Sequence, residues 1–101
     1  MPIAITADLL LAADQIDQLT SLERSILLRR AAATVWAYHM QLGSAAALTD
    51  PCGVALDLAA MARGIDLFGN ATISELMREA VVVIGMLQEQ DDVFSALVGH
   101  G

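Results

Sequence analysis

A capping box at Thr20 and Glu23 and a glycine at Gly43 enclose the stretch that the sequence predicts to be the longest helix of this chain. The polar side of that stretch shrinks to a single line. At 100° per residue Glu23, Arg30, Thr34 and Gln41 share one narrow stripe. Leu28, Ala32, Val35, Trp36 and His39 project the opposite way, with Tyr38 on a flank beside Leu27 and Ala31. Beyond Arg30 the segment is apolar over all but that stripe. A helix of this kind has to be wrapped by neighbours on most sides.

Helix punctuation recurs along the rest of the chain. Thr6 ahead of Ala7 and Asp8 predicts a first helix over 7–19, with Leu9, Ala13 and Ile16 on its apolar side. GSAAALT, 43–49, reads as a connection, and Asp50 with Pro51 is an N-cap and first-turn pair that starts a third helix. Its stripe of Val54, Leu58, Met61, Ile65 and Phe68 carries it past Gly64 toward Gly69, with Gly64 as the alternative, earlier stop. Thr72 and Glu75 repeat the capping-box spacing and predict a fourth helix running to Glu89, with VFSALV, 93–98, as a short amphipathic tail. No run alternates with period two over a useful length. VVVI at 81–84 has strand propensity, but ELMREA before it and MLQEQ after it favour helix. No internal repeat, low-complexity tract or linker is visible. The expectation is a single all-α domain over 1–101: a compact bundle of four helices plus a short C-terminal helical tail.

Composition then asks where the apolar surface goes. Hydrophobic residues make up 56% of the chain and charged residues 17%, against roughly 45–50% (a count that includes glycine) and about 25% in an average soluble domain. A domain of 101 residues leaves much apolar surface in water if it stays alone. The fourth helix repeats the layout of the second: Glu75, Arg78 and Glu79 are followed on the same face by Val82, Gly85 and Met86. Self-association is the economical explanation, with Val35, Trp36, Val82, Gly85 and Met86 near the subunit contact and a two-fold homodimer as the default.

Several classes are excluded or disfavoured. The longest charge-free stretch, Ala31 to Thr49, is broken by Gln41, Gly43 and Ser44, so no membrane span is expected. The first residues have no basic segment and reach Asp8 early, unlike a signal peptide. Twelve acids against five arginines and no lysine give a net charge of −7, which argues against nucleic acid as a partner. A helix-turn-helix would need a polar recognition face that the second helix lacks. Cys52 is alone, which suits a reducing cytoplasm, and it has no cationic neighbour or base to make it a nucleophile. Two histidines 61 positions apart offer no metal-ligand spacing, and no phosphate loop, nucleophile elbow or cofactor motif is present. No metal or cofactor is expected.

One polar constellation deserves a test. Gly53, Asp57, Ala60 and Gly64 form a lane of small residues interrupted by a carboxylate. If the second helix packs there, Asp57 meets His39, the arrangement of a general-base pair or pH switch. Trp36, Tyr38, His39, Asp57, Met40 and Met61 could instead line an interhelical pocket for a small apolar ligand. Three functions follow in order: a non-enzymatic interaction or regulatory module that self-associates through the second and fourth helices; a binding protein for a small apolar ligand; an enzyme using His39 with Asp57.

Overall fold

The computed structural model describes residues 2–42 and 51–98, with side-chain surroundings over 5–40 and 53–93. Among the described residues there are four α-helices: α1 (Pro2–Asp14), α2 (Ser21–Leu42), α3 (Pro51–Arg63) and α4 (Asn70–Val98). A 3-10 turn at Ile16–Gln18 joins α1 to α2, and another at Ile65–Leu67 joins α3 to α4. Among the described residues there is no strand. The expected stop at Gly43, the 43–49 connection, the Asp50 cap and the surroundings of Cys52 lie outside the described residues.

The helix boundaries differ from expectation in four places. First, α1 starts at Pro2, upstream of the Thr6 cap; proline suits a first helical position because it has no N–H to leave unpaired. It ends at Asp14, five residues short of Leu19. Second, α3 ends at Arg63, the earlier stop that Gly64 offered, and the chain continues into the 3-10 turn instead of through more helix. Third, α4 begins at Asn70, with the Ile73 N–H bonded to the Gly69 carbonyl, so Thr72 and Glu75 lie inside its first turns. Fourth, the tail is not separate: α4 runs unbroken to Val98, and at 29 residues against 22 for α2 it is the longest helix among the described residues. The Thr20–Glu23 box forms as expected. The Glu23 N–H donates to Thr20 Oγ1 at 3.1 Å and the Thr20 N–H donates to Glu23 Oε1 at 2.9 Å.

The structure also corrects the expectation that the chain has no internal repeat. Helix, 3-10 turn and helix recur with a constant offset: Pro2 and Pro51, Ile16 and Ile65, Ser25 and Ser74 each stand 49 residues apart. Backbone angles repeat with them. Gln15 (φ −116°, ψ 31°) matches Gly64 (−113°, 39°), and Leu19 (−95°, 142°) matches Phe68 (−114°, 142°). Burial repeats too: Leu9 and Leu58, Leu28 and Met77, Ala31 and Ala80, Val35 and Ile84 are pairs of fully enclosed core residues.

The two units exchange their packing. α2 lies chiefly on α3, and α1 on α4. Ser25 of α2 donates its hydroxyl to the Ala62 carbonyl of α3, and Ser74 of α4 donates to the Ala13 carbonyl of α1, both at 2.9 Å. Ser21 bonds Asp66 at 2.6 Å, and Asn70 bonds Asp17 at 2.8 Å. Each bond is the other's counterpart with the units swapped, so the units are related by an approximate two-fold axis. Arg24 meets Asn70 near the N-termini of α2 and α4, and Tyr38 meets Gln88 near their C-terminal parts. The two long helices therefore run side by side in the same direction, and the axis runs along them. Equivalent residues of α2 and α4 share the same height in the molecule.

Candidate functional site

The side of α2 that meets the core carries Leu28, Ala31, Val35 and Tyr38. At 100° per residue the opposite side, turned away from α4, carries Leu22, Ile26, Arg29, Ala33, Trp36 and Met40, and every one of these is exposed. Arg30 flanks the line and reaches back to Asp8 of α1 at 3.3 Å. Counterparts on α4, turned the other way, are Ala71, Glu75, Arg78, Val82, Gly85 and Glu89, with Glu79 and Met86 at the flanks. Val82 and Met86 are exposed, and Arg78 pairs with Asp14 of α1 at 2.8 Å. A methyl group built on Gly85 would meet nothing within 4 Å.

These positions revise the expected site residue by residue. Trp36, placed by periodicity on the buried side, is 46% exposed, and Met40 beside it is 66% exposed. Tyr38, placed on a flank, is buried at 8% exposure. The core side of α2 is thus rotated toward Ala31 and Tyr38. Burial pushes the Tyr38 phenol above its usual range, a hydrogen bond from Gln88 opposes this, and Asp91 and Asp92 add to the rise. Val35, expected at the subunit contact, and Met61, expected at the ligand pocket, both belong to the core of the chain itself. Val82 and Met86 stand outside, with Gly85 half-buried between them.

The proposed polar lane faces outward. Asp57 and Ala60 are exposed, and the core side of α3 is Ala55, Leu58, Met61 and Ala62. His39 is half-buried; its Nδ1 is enclosed and finds no partner among the described residues. Its ring lies 5.7 Å from that of Trp36, tilted by 43°. The structure thus brings Trp36 and His39 together but scatters Tyr38, Met61, Met40 and Asp57 between core and outer surface. Sequence reasoning missed Leu22 and Ile26 on the outward line of α2. The 49-residue offset was the signal that would have found them, because it aligns each α2 position with its α4 counterpart.

Among the described residues no group of three or more His, Cys, Asp or Glu side chains is placed to hold a metal ion. No helix among them is long and apolar enough to cross a membrane. Comparison with family models, curated proteins and solved structures finds no match to this chain.

Proposed function

We propose that this chain is a small, non-enzymatic interaction or regulatory module of the cytoplasm that self-associates through the outward faces of α2 and α4. One observation carries the reading: Trp36 and Met40 on α2, and Val82 and Met86 on α4, stand exposed along lines that run for several helical turns. Large apolar side chains left exposed together on one side of a helix, as Trp36 and Met40 are, mark an interaction site on a small domain. Tryptophan and methionine are also the side chains that interfaces favour. The lone cysteine agrees with a reducing compartment.

A second reading, a pocket for a small ligand, draws on the enclosed and unpartnered Nδ1 of His39 beside the Trp36 ring. An acid–base pair of His39 with Asp57 has no comparable support, since Asp57 lies on the outer side of α3. Native mass spectrometry of freshly purified protein, repeated after denaturation, separates the readings. Multiples of the chain mass with nothing added are expected for the module. A small molecule lost on denaturation would replace it with the pocket, and a bare monomer at every concentration would overturn self-association.

A further inference from the structure

The self-association just proposed leaves open which face meets which, and the approximate two-fold makes that question sharp. Resting on that proposal, we infer that copies of this chain associate head to tail, the α2 face of one against the α4 face of the next. The symmetric dimer that the sequence suggested would instead place like faces together.

Charge is the first support. α2 holds Arg24, Arg29 and Arg30 against one carboxylate, Glu23, whereas α4 holds Glu75, Glu79, Glu89, Asp91 and Asp92 against one cation, Arg78. On the outward lines the contrast persists: Arg29 and Arg30 stand at the heights where α4 presents Arg78 and Glu79, with Glu75 one turn below. A chain of net charge −7 repels its copies. Two α4 faces would concentrate that repulsion, and two α2 faces would oppose arginine to arginine. In the mixed contact Arg29 comes level with Arg78, which Asp14 of its own chain already neutralises, and with Glu79. Glu75 lies one turn below, so the arginines of one face meet a face on which carboxylates outnumber cations.

Shape is the second support. Trp36 and Gly85 are equivalent positions and so lie at one height. Trp36 projects from α2, and Gly85 leaves open space above α4. When α2 of one copy lies alongside α4 of another in the same direction, without axial stagger, the indole comes over the glycine, and Ala33 comes beside Val82. Because the two faces point to opposite sides of the molecule, each copy has one of each to offer. The contact is heterologous and extends to a ring or an open series.

Ala33 and Val82 are both exposed, so Ala33→Glu and Val82→Glu each place a charge on one face while leaving the core untouched. Helix content by circular dichroism confirms that each variant folds. Sedimentation velocity then reads the assembly. Wild-type protein should grow past the dimer with concentration, each variant alone should fall to the one-chain mass, and an equal mixture should recover a two-chain species and nothing larger. In that mixture the intact α2 face of the Val82→Glu copy meets the intact α4 face of the Ala33→Glu copy, and both free faces carry glutamate. If wild type associates but one variant alone still dimerises, or the mixture stays at one-chain mass, the head-to-tail arrangement is wrong while self-association stands. If wild type never associates, the function proposed above falls, and this arrangement falls with it.

Discussion

Ser25 of α2 donates its hydroxyl to the carbonyl of Ala62 in the last turn of α3, across 37 residues of sequence. Ser74 and Ala13 repeat the relationship from α4 to α1. Carbonyls in the final turn of a helix have no partner within that helix. Each long helix thus completes the end of the short helix from the other unit. Both serines are buried, so their removal strands a carbonyl where water reaches it poorly. Ser25→Ala and Ser74→Ala should each lower unfolding free energy by about 1–2 kcal/mol. Their sites lie in separate contacts, so the double variant should lose close to the sum. Urea denaturation of the three variants checks both claims. A much smaller loss at Ser74 than at Ser25 would show that the two units are not equivalent in energy.

Arg24 breaks the repeat at the same end of the molecule. Its counterpart is Ile73, a fully enclosed core residue, yet the guanidinium is put to use: one nitrogen donates to the Ile16 carbonyl at 2.6 Å and another to Asn70 Oδ1 at 2.8 Å. Asn70 in turn donates to Asp17. Arg24→Ala should cost about 2–3 kcal/mol, the range for bonds from a charged donor. Arg24→Lys should recover less than half, because a single ammonium cannot reproduce the planar fork. Thermal unfolding of the two variants tests the difference. Equal stability of Arg24→Lys and wild type would show that charge alone matters there.

Helix type, helix number and the hydrophobic core were legible because each rests on local rules. Thr20 with Glu23 makes its capping box, and Leu9, Leu28 and Leu58 are buried where their spacing puts them. The site was less legible. Trp36 and Tyr38 lie two residues apart on α2, and a rotation of the buried side exchanges which of them faces water. That rotation is set by α3 and α4 packing on α2, which no periodicity within α2 records. Asp57 was misplaced for the same reason: Ala55 and Ala62, not the Gly53–Gly64 lane, meet the core. The repeat itself was legible: 11 of the 41 residues over 2–42 recur unchanged 49 positions on, Leu9 with Leu58 and Ser25 with Ser74 among them, and matched burial extends it to substituted pairs such as Leu28 and Met77.

Glu23 carries a pH dependence with a definite sign. The bonds it accepts from the Thr20 N–H and hydroxyl hold its carboxyl below the usual glutamate range. A lowered folded value means the stabilisation is whole above the ordinary glutamate pKa and disappears as pH falls through the folded value. Wild type should therefore exceed Glu23→Gln in stability at pH 7, and the gap should narrow as pH falls from the ordinary glutamate value of about 4.3 toward pH 3. Guanidinium titrations at both pH values measure it. A gap that stays constant would assign the cap to hydrogen bonding without charge.

Tyr38 works in the opposite direction. Burial leads the upward shift of its phenol, so folding favours the neutral form. That contribution is complete below the ordinary tyrosine value of about 10 and is lost as pH rises through the raised one. Wild-type protein should lose stability above that point, and Tyr38→Phe should retain more of its own neutral-pH stability there. At neutral pH the same variant should be slightly weaker, having lost the bond with Gln88. Fluorescence-monitored unfolding between pH 8 and pH 11 would show the two curves converging; parallel curves would place the phenol in water in the folded state.

Gly85 separates the needs of the fold from those of the surface. It lies inside α4, where glycine costs roughly 0.5–1 kcal/mol relative to alanine. A methyl group there would touch nothing within the chain. Gly85→Ala should therefore stabilise dilute, dissociated protein by about that amount. If the indole of Trp36 from another copy uses the space above Gly85, the same methyl group should weaken association, so stability and assembly move in opposite directions. Larger replacements sharpen the contrast: Gly85→Leu should retain the fold and abolish the contact. Unfolding at low concentration and sedimentation at high concentration, performed on the same variants, read the two effects independently. A variant that is more stable and equally associated would leave the glycine without a role at the contact.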